Sequence, residues 1–370
     1  MRRISWLALG LALFSVAGTA QNQSAKTLDM YVVDTEGGHA VLYVSPSGES
    51  LLEDTGNPGG GGTFRDTDRI MAAIDAAGVK QIDHLILTHY HVDHVGGLEE
   101  LAKRIPIKHF IDHGPTVEAR EQVPGFQQMY AALYATAKHT VVKPGDKIPF
   151  AGVDVTVVTA AGAVIQKPLP GGGKPNPACA DFKPRDESHV DPENPQSVGV
   201  VYTFGKFRTI NLGDYTWNAE EKLMCPSNPI GKVDVYLTSH HGIDQSGSPA
   251  LVHGLQPEVA VMHNSARKGG AVQTMQVLYT SPGLEDIWQL HWAYAAGLEL
   301  NTPGLFIANL EDPAAIAAFL TAVPGGGRGP GGRGGHIGPA FWIKVSGHAD
   351  GSFTVTNTRN NFSKTYNAGN

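Results

Sequence analysis

The sequence predicts an α/β fold with two strand-rich halves, the succession that a four-layer αββα sandwich would produce; two observations point there and a third marks the site. Short apolar runs of strand character fall in two groups, one in each half of the chain, with amphipathic helical stretches between them. Glycine is frequent, 45 of 370 residues, and charged side chains are sparse at 17%, a composition suited to one large core with many loops. Three imidazoles and a carboxylate, His89, His91, Asp93 and His94, follow directly on one of those runs.

At the start, Arg2 and Arg3, an apolar stretch over residues 4–17 and the small residues Gly18-Thr19-Ala20 read as a secretory signal peptide covering residues 1–20. The stretch is short for a membrane span of about 20 residues, so no stable anchor is expected after cleavage. Cleavage removes two arginines and no acid, which moves the net charge from −7 to −9. Such a balance argues against broad electrostatic affinity for nucleic acid. Residues 21–370 contain no linker-rich boundary and read as a single domain of a periplasmic or secreted protein. Cys179 and Cys225 stand open between a disulfide, as an oxidising compartment would favour, and two free thiols.

Residues 27–34 and 40–45 read as a hairpin across Gly37-Gly38, and residues 50–53 as the third strand of the same meander. Residues 63–77 carry Phe64, Ile70, Met71 and Ile74 at helical spacing and end at Gly78. A buried strand over 82–87 feeds the histidine-rich loop, and Gly96-Gly97 open a helix. A strand over 107–111 ends near His113, which reads as a loop histidine bonded to nearby backbone. A helix over 126–138 and a strand over 153–158 follow. The proline-rich stretch 162–196 is too long for an idle loop and reads as an active-site lid or substrate wall, a disordered tether being the alternative. Strands over 207–212, 233–238 and 259–262 end at Gly213-Asp214, at Ser239-His240-His241-Gly242, and at His263. Beyond them Arg267-Lys268 reads as a solvated charge pair or as a receiver of an anionic group. The segment 284–292 looks structural, with His291 and Trp292 able to line a pocket. A helix over 314–322, a mobile Gly/Pro/Arg run over 324–339 and a hairpin of residues 340–345 and 352–358 complete the chain.

Imidazole nitrogen and carboxylate oxygen together suit borderline and harder divalent ions, and four such groups so close are hard to explain as a merely polar loop. The string Thr88-His89-Tyr90-His91-Val92-Asp93-His94-Val95-Gly96-Gly97 resembles the H-x-H-x-D-H-x-G signature of the metallo-β-lactamase superfamily. Residues 34–40 and 51–56 are similar to the D-V-G-Q-G-D-A and I-D-T-G blocks of the branch holding the hydrolase domain of ComEC-type competence proteins. Glu36 stands where that branch has glycine, and His39 where it has aspartate. His39 reads as a water-exposed turn residue, reach into the metal pocket being the alternative. Residues 194–200, Gly213-Asp214 and Ser239-His240-His241-Gly242 extend the resemblance, which covers residues 27–265.

The resemblance implies the metallo-β-lactamase type of αββα sandwich and two divalent metal ions, zinc foremost, with manganese, iron or single occupancy as alternatives. By it, His89 and His91 hold the first metal, Asp93, His94 and His240 the second, Asp214 bridges, and Asp54 supports the metal loop from behind. Since adjacent strand-end residues point to opposite sides, only one ring of the His240-His241 pair is expected to ligate, and His241 is placed near the substrate as a proton carrier or oxyanion donor. The reverse assignment stays open. A further first-metal histidine that the family has near Asn194 is missing, which leaves His189, Asn194, Ser197 or water to fill the place. Asn194, Ser197 and Lys268 are the candidate substrate-binding residues, and Asp93 would orient the attacking metal-activated hydroxide. The implied activity is hydrolysis of a small phosphodiester or related ester. A β-lactam or lactone hydrolase, a di-iron redox enzyme and a non-catalytic metal-binding protein are the competing readings.

Overall fold

The structure is a computed structural model describing residues 26–310 and 341–367. The expectations placed on residues 1–20, 314–322 and 324–339 lie outside the described residues.

The first sheet begins with the meander β1 (Leu28–Val32), β2 (Val41–Val44) and β3 (Ser50–Glu53), and continues with parallel strands β4 (His84–Ile86), β5 (His109–Asp112) and β6 (Lys138–Val141). The second sheet takes β7 (Lys147–Ile148), β8 (Asp154–Ala160), β9 (Ala163–Val164), β11 (Gly199–Phe204), β12 (Phe207–Asn211), β14 (Val235–Leu237), β15 (Val259–Met262), β16 (Asp286–His291) and β17 (Ile307–Asn309). Between them in the chain, β10 (Lys174–Pro175) and β13 (Ser227–Asn228) form a two-stranded ribbon. The chain then returns. β18 (Ile343–Gly347), β19 (Phe353–Asn357) and β20 (Phe362–Tyr366) join the first sheet beside β1, so its order is β20-β19-β18-β1-β2-β3-β4-β5-β6. The division into two consecutive strand-rich halves is therefore corrected: the last three strands complete the first sheet, which their alternating pattern alone does not reveal.

Side-chain alternation makes the four layers. Along β1, Leu28, Met30 and Val32 enter the central core, while Tyr31 joins the outer cluster with Ile70, Ile74, Leu98 and Leu101. Along β14 and β15, Val235, Leu237, Val259 and Val261 face that same central core, and Tyr236, Ala260 and Met262 face outward with Leu223, Leu251 and Met275. Both faces of each sheet are thus apolar, as strands covered on both sides require. The outer layers are α1 (Arg65–Ala76), α3 (Leu98–Arg104) and α4 (Phe126–Tyr134) on one sheet, and α5 (Trp217–Met224), α6 (Pro249–Leu255) and α7 (Val272–Tyr279) on the other. A single-turn helix, α2 (Val92–Val95), carries the end of the histidine motif.

Helix α4 stops at Tyr134, short of the expected 138, because Lys138 already belongs to β6. The stretch 162–196 is an ordered wall. Cys179 is disulfide-bonded to Cys225 at the end of α5, β10 pairs with β13, and Asn176 Nδ2 donates to the carbonyls of Met224 and Ala250. No helix among the described residues is long and apolar enough to cross a membrane.

Candidate metal centre

The motif residues meet at the ends of strands from both sheets. The loop from β4 into α2 supplies His89, His91, Asp93 and His94; β12 runs into Asp214, and β14 into His240-His241. Gly97 is required under this loop, since a Cβ there would overlap the carbonyl oxygen of Thr55. His39 lies in the turn between β1 and β2, and its N–H donates to the carbonyl of Asp93 at 3.0 Å.

Asp214 is the centre of the arrangement. Its Oδ1 lies 3.2 Å from His94 Nε2 and 3.3 Å from His241 Nε2; its Oδ2 lies 3.2 Å from His240 Nε2 and 3.8 Å from His89 Nε2. Asp93 Oδ2 stands 3.3 Å from His241 Nε2, and the ligating atoms of Asp93, His94, Asp214 and His241 form one compact set. His89, His91 and Asp214 form a second set sharing the same aspartate.

The expected assignment of the tandem histidines is corrected by this geometry. His241 joins Asp93 and His94, and His240 approaches the opposite oxygen of Asp214. Alternation fails because both residues leave the extended region, with φ of 52° and 58°, so the backbone turns between them and both rings reach the aspartate. Gly269 allows this turn, as a Cβ on it would overlap the carbonyl oxygen of His241.

Electrostatics within the cluster are strong in both directions. Burial resists charge on Asp214, but His240, His241 and His94 hold its carboxyl well below the usual range. Burial likewise resists ionisation of Asp93, and Lys268 with His94 outweighs it. Lys268 Nζ is ion-paired directly with Asp93 Oδ2. Burial opposes a charged His94, yet Asp214, Asp54 and Asp93 push it up to about 10. His89, buried beside His94 and His91, is held far below the ordinary imidazole value.

Behind these residues, Asp54 takes His94 Nδ1 on Oδ2 at 2.7 Å and accepts from the Thr88 N–H at 2.8 Å and the Thr88 hydroxyl at 2.7 Å. That bond commits Nδ1 of His94 and leaves Nε2 for the centre, the usual role of an outer carboxylate behind a ligating imidazole. The water-exposed reading of His39 is overturned. It is fully buried, with Nδ1 2.9 Å from Asp54 Oδ2 and Nε2 receiving Asn211 Nδ2 at 2.9 Å. Glu53 sits beneath, accepting from Tyr43, Tyr202 and Asn211; burial pushes its carboxyl up to about 7.

Other expectations shift as well. Ser197 is fully buried and its hydroxyl donates to the Asn194 carbonyl at 2.8 Å, so it holds a turn and presents no hydroxyl to a substrate. Asn194 is buried with Oδ1 unpaired. His189 is exposed and lines a cavity with Arg185, Asp244 and Gln273, outside the Asp214 set. His113 pairs with the buried Glu193 at 2.9 Å instead of with backbone. His291 Nε2 contacts Asp34 Oδ1 at 2.9 Å, and Asp34 also pairs with Arg69 at 2.7 Å. Glu36, at the family's glycine position, keeps the glycine-like backbone with φ 52°. His263 escaped the sequence reading as a site residue: it is buried with its ring edge-on to those of His39 and His241, 4.6 and 4.8 Å away.

The donor set fits divalent cations. His89 Nε2, His91 Nε2 and Asp214 Oδ1 are buried without a hydrogen-bond partner, and His94 Nε2 faces His241 Nε2 at 3.3 Å. Buried polar atoms left in this state are costly unless something joins them. The family model for the metallo-beta-lactamase superfamily matches residues 33–244, more than half of the chain. The chain belongs to this superfamily. Its curated relatives include a competence protein and a ComE operon protein. It is 24% identical over 255 residues to competence protein ComA of Neisseria gonorrhoeae, covering 69% of this chain and 29% of that protein. It is 26% identical over 190 residues to ComE operon protein 3 of Bacillus subtilis (strain 168), covering 51% of this chain and 21% of that protein. The matches thus span less than a third of these relatives' own length. Among solved structures, the metallo-beta-lactamase fold protein YhfI from Bacillus subtilis matches with a TM-score of 0.43 at 12% identity, covering 71% of this chain and 96% of that one. A diphosphatase of the PhnP family matches with a TM-score of 0.38 at 14% identity, covering 70% and 94%. Superfamily members are mostly metallo-hydrolases that bind divalent metal ions, in keeping with the His and Asp clusters of this chain.

Proposed function

We propose that this protein is a hydrolase of small phosphodiesters or related anionic esters, working with two divalent ions. The observation that carries the proposal is Asp214, whose two oxygens face two separate groups of imidazole nitrogens. A carboxylate so placed would lie between two cations and offset their mutual repulsion. His94, His241 and Asp93 would hold one ion, and His89, His91 and His240 the other. Bound there, divalent ions supply Lewis-acid polarisation of a substrate oxygen and water activation near neutral pH.

The chain's own residues do the rest. Asp93, kept ionised by Lys268 and His94, orients the attacking water and accepts its proton. Asp54 fixes the ring of His94. With both tandem histidines on Asp214, Lys268 is a cation beside Asp93, and we assign it the recognition of an anionic substrate oxygen. The resemblance of residues 34–40, 51–56 and 194–200 to ComEC-type hydrolase blocks favours a phosphodiester, and the chain's net charge of −7 favours a small one over a long polyanion. The Cys179–Cys225 bond supports a periplasmic or secreted location.

The test is elemental analysis of purified protein followed by turnover of bis(p-nitrophenyl) phosphate, nitrocefin and a simple lactone. Phosphodiester cleavage, abolished by chelation and restored by zinc or manganese, is the expected result. Opening of nitrocefin or the lactone without phosphodiester cleavage would move the substrate class, and protein that takes up no transition metal would end the proposal.

A further inference from the structure

The wall formed by residues 162–196 and the loop after β5 bring two carboxylates to the outer side of His91. Glu118 Oε1 lies 3.0 Å and Asp191 Oδ1 3.1 Å from His91 Nε2. The side chains of His91 and Glu118 are 9% and 8% exposed, so both are withdrawn from water. Gln122 ties the group together: its Nε2 donates to Glu118 Oε1 at 3.1 Å and to Asp191 Oδ2 at 3.2 Å, and its Oε1 accepts from the Val92 N–H at 3.2 Å. Among the described residues neither carboxylate pairs with a lysine or arginine.

Two features separate this group from an ordinary ion pair. His91 Nε2 is buried and makes no hydrogen bond, although two oxygens lie near 3 Å, so they sit off the line along which a ring N–H would donate. Atoms that converge on a common cation behave in this way: ligands each about 2.1 Å from a metal lie roughly 3 to 3.5 Å apart, with their lone pairs aimed at the ion and not at one another. Glu118, shielded from water, and Asp191, one-third exposed, also repel one another when both are ionised unless a cation or a shared proton joins them.

We propose that His91, Glu118 and Asp191 form a cation-binding position of their own, richer in oxygen than the Asp214 set and therefore open to a harder ion such as Mn2+. The inference rests on the metal-centre reading above and changes one ligand of it. One imidazole nitrogen serves one ion at a time, so an ion held by the two carboxylates takes His91 away from His89 and Asp214. The Asp214 centre then keeps His89 and His240 on Oδ2. Asp191 lies in the disulfide-tethered wall, which makes that wall part of the metal site and ties its placement to cation binding.

Metal-free protein, Glu118→Gln and Asp191→Asn, each shown to be folded by circular dichroism, are titrated with Mn2+ by calorimetry and by the electron paramagnetic resonance signal of free Mn2+. Zinc uptake is measured in parallel by elemental analysis. The wild type is expected to bind Mn2+ in a component that each variant weakens ten-fold or more, or loses, while zinc bound per chain stays unchanged. Mn2+ binding within two-fold of wild type in both variants overturns the position, as does a wild type that takes up zinc but no Mn2+. If wild type and variants alike take up neither metal, the hydrolase reading falls first. Zinc uptake with no effect of the substitutions on Mn2+ leaves that reading intact and removes only this one.

Discussion

Asp54 does more for the centre than its place outside it suggests. Fully buried, it meets the imidazoles of His94 and His39 and both donors of Thr88. Asp54→Ala strands these partners, and removal of one member of such a buried charged network costs about 3 to 5 kcal/mol. We expect metal affinity to fall about 10- to 100-fold in the same variant, as for other carboxylates behind ligating histidines. Urea unfolding and metal titration check the two effects separately. Lys268→Met tests the substrate side: loss of a hydrogen bond to a charged group worth about 1.5 to 3 kcal/mol should raise KM for a phosphodiester roughly ten-fold or more, with zinc content measured in parallel because Lys268 also pairs with Asp93. A KM equal to wild type would remove Lys268 from substrate recognition. At this scale the sequence was legible where ligands sit in one short string, and Asp214 was legible as a carboxylate at a strand end. The division of His240 and His241 between the two oxygens was hidden, because it depends on two left-handed residues that no side-chain pattern announces. His39 was hidden for another reason: its ring is held between Asp54 and Asn211, the latter 172 residues away in the chain.

Among the elements, the wall over residues 162–196 departs furthest from what its composition suggests. Its prolines and glycines read equally well as a tether or a lid, and its order comes from contacts elsewhere. The disulfide closes a loop of 46 residues between Cys179 and Cys225. Breaking a bridge of this kind typically costs about 2 to 4 kcal/mol through the freedom regained by the unfolded chain. The Cys179→Ser, Cys225→Ser double variant should therefore melt several degrees lower, and limited proteolysis should cut first within the wall. A melting temperature insensitive to reductant would argue against this anchoring. Strands were easiest to locate where both faces are apolar, as in β15, whose observed bounds coincide with residues 259–262. Short edge pieces such as β7 and β17 carry two or three residues each, too few for a periodic signal.

For the whole molecule, the predicted layering agrees with the structure, while the origin of the first sheet's outer strands does not follow from local pattern. Stability should also depend on pH through buried acids away from the metal ligands. Glu220 accepts the N–H groups of Gly247 and Ser248 at 2.7 and 2.6 Å, yet burial dominates and pushes its carboxyl from 4.5 up to about 8. A carboxyl raised in the folded state binds more protons folded than unfolded. Its contribution is present in full below about pH 4.5 and is lost as pH rises through about 8. Wild type should accordingly lose stability relative to Glu220→Gln between about pH 5 and 8, read as the difference in melting temperature at each pH. A constant difference across that range would mean that Glu220 is ionised in the folded protein throughout.

The return of β18, β19 and β20 to the edge of β1 has a consequence for how the protein is made. By Asn309 every residue assigned to the centre has been synthesised, but the sheet that carries the histidine loop has only six of its nine strands. Until residues 343–366 follow, the backbone of β1 on that side is an open template for pairing with any extended chain nearby. Biogenesis thus puts the ligands first and the closure of their scaffold last, so holding that edge apart from other strands is a task for the interval between the two.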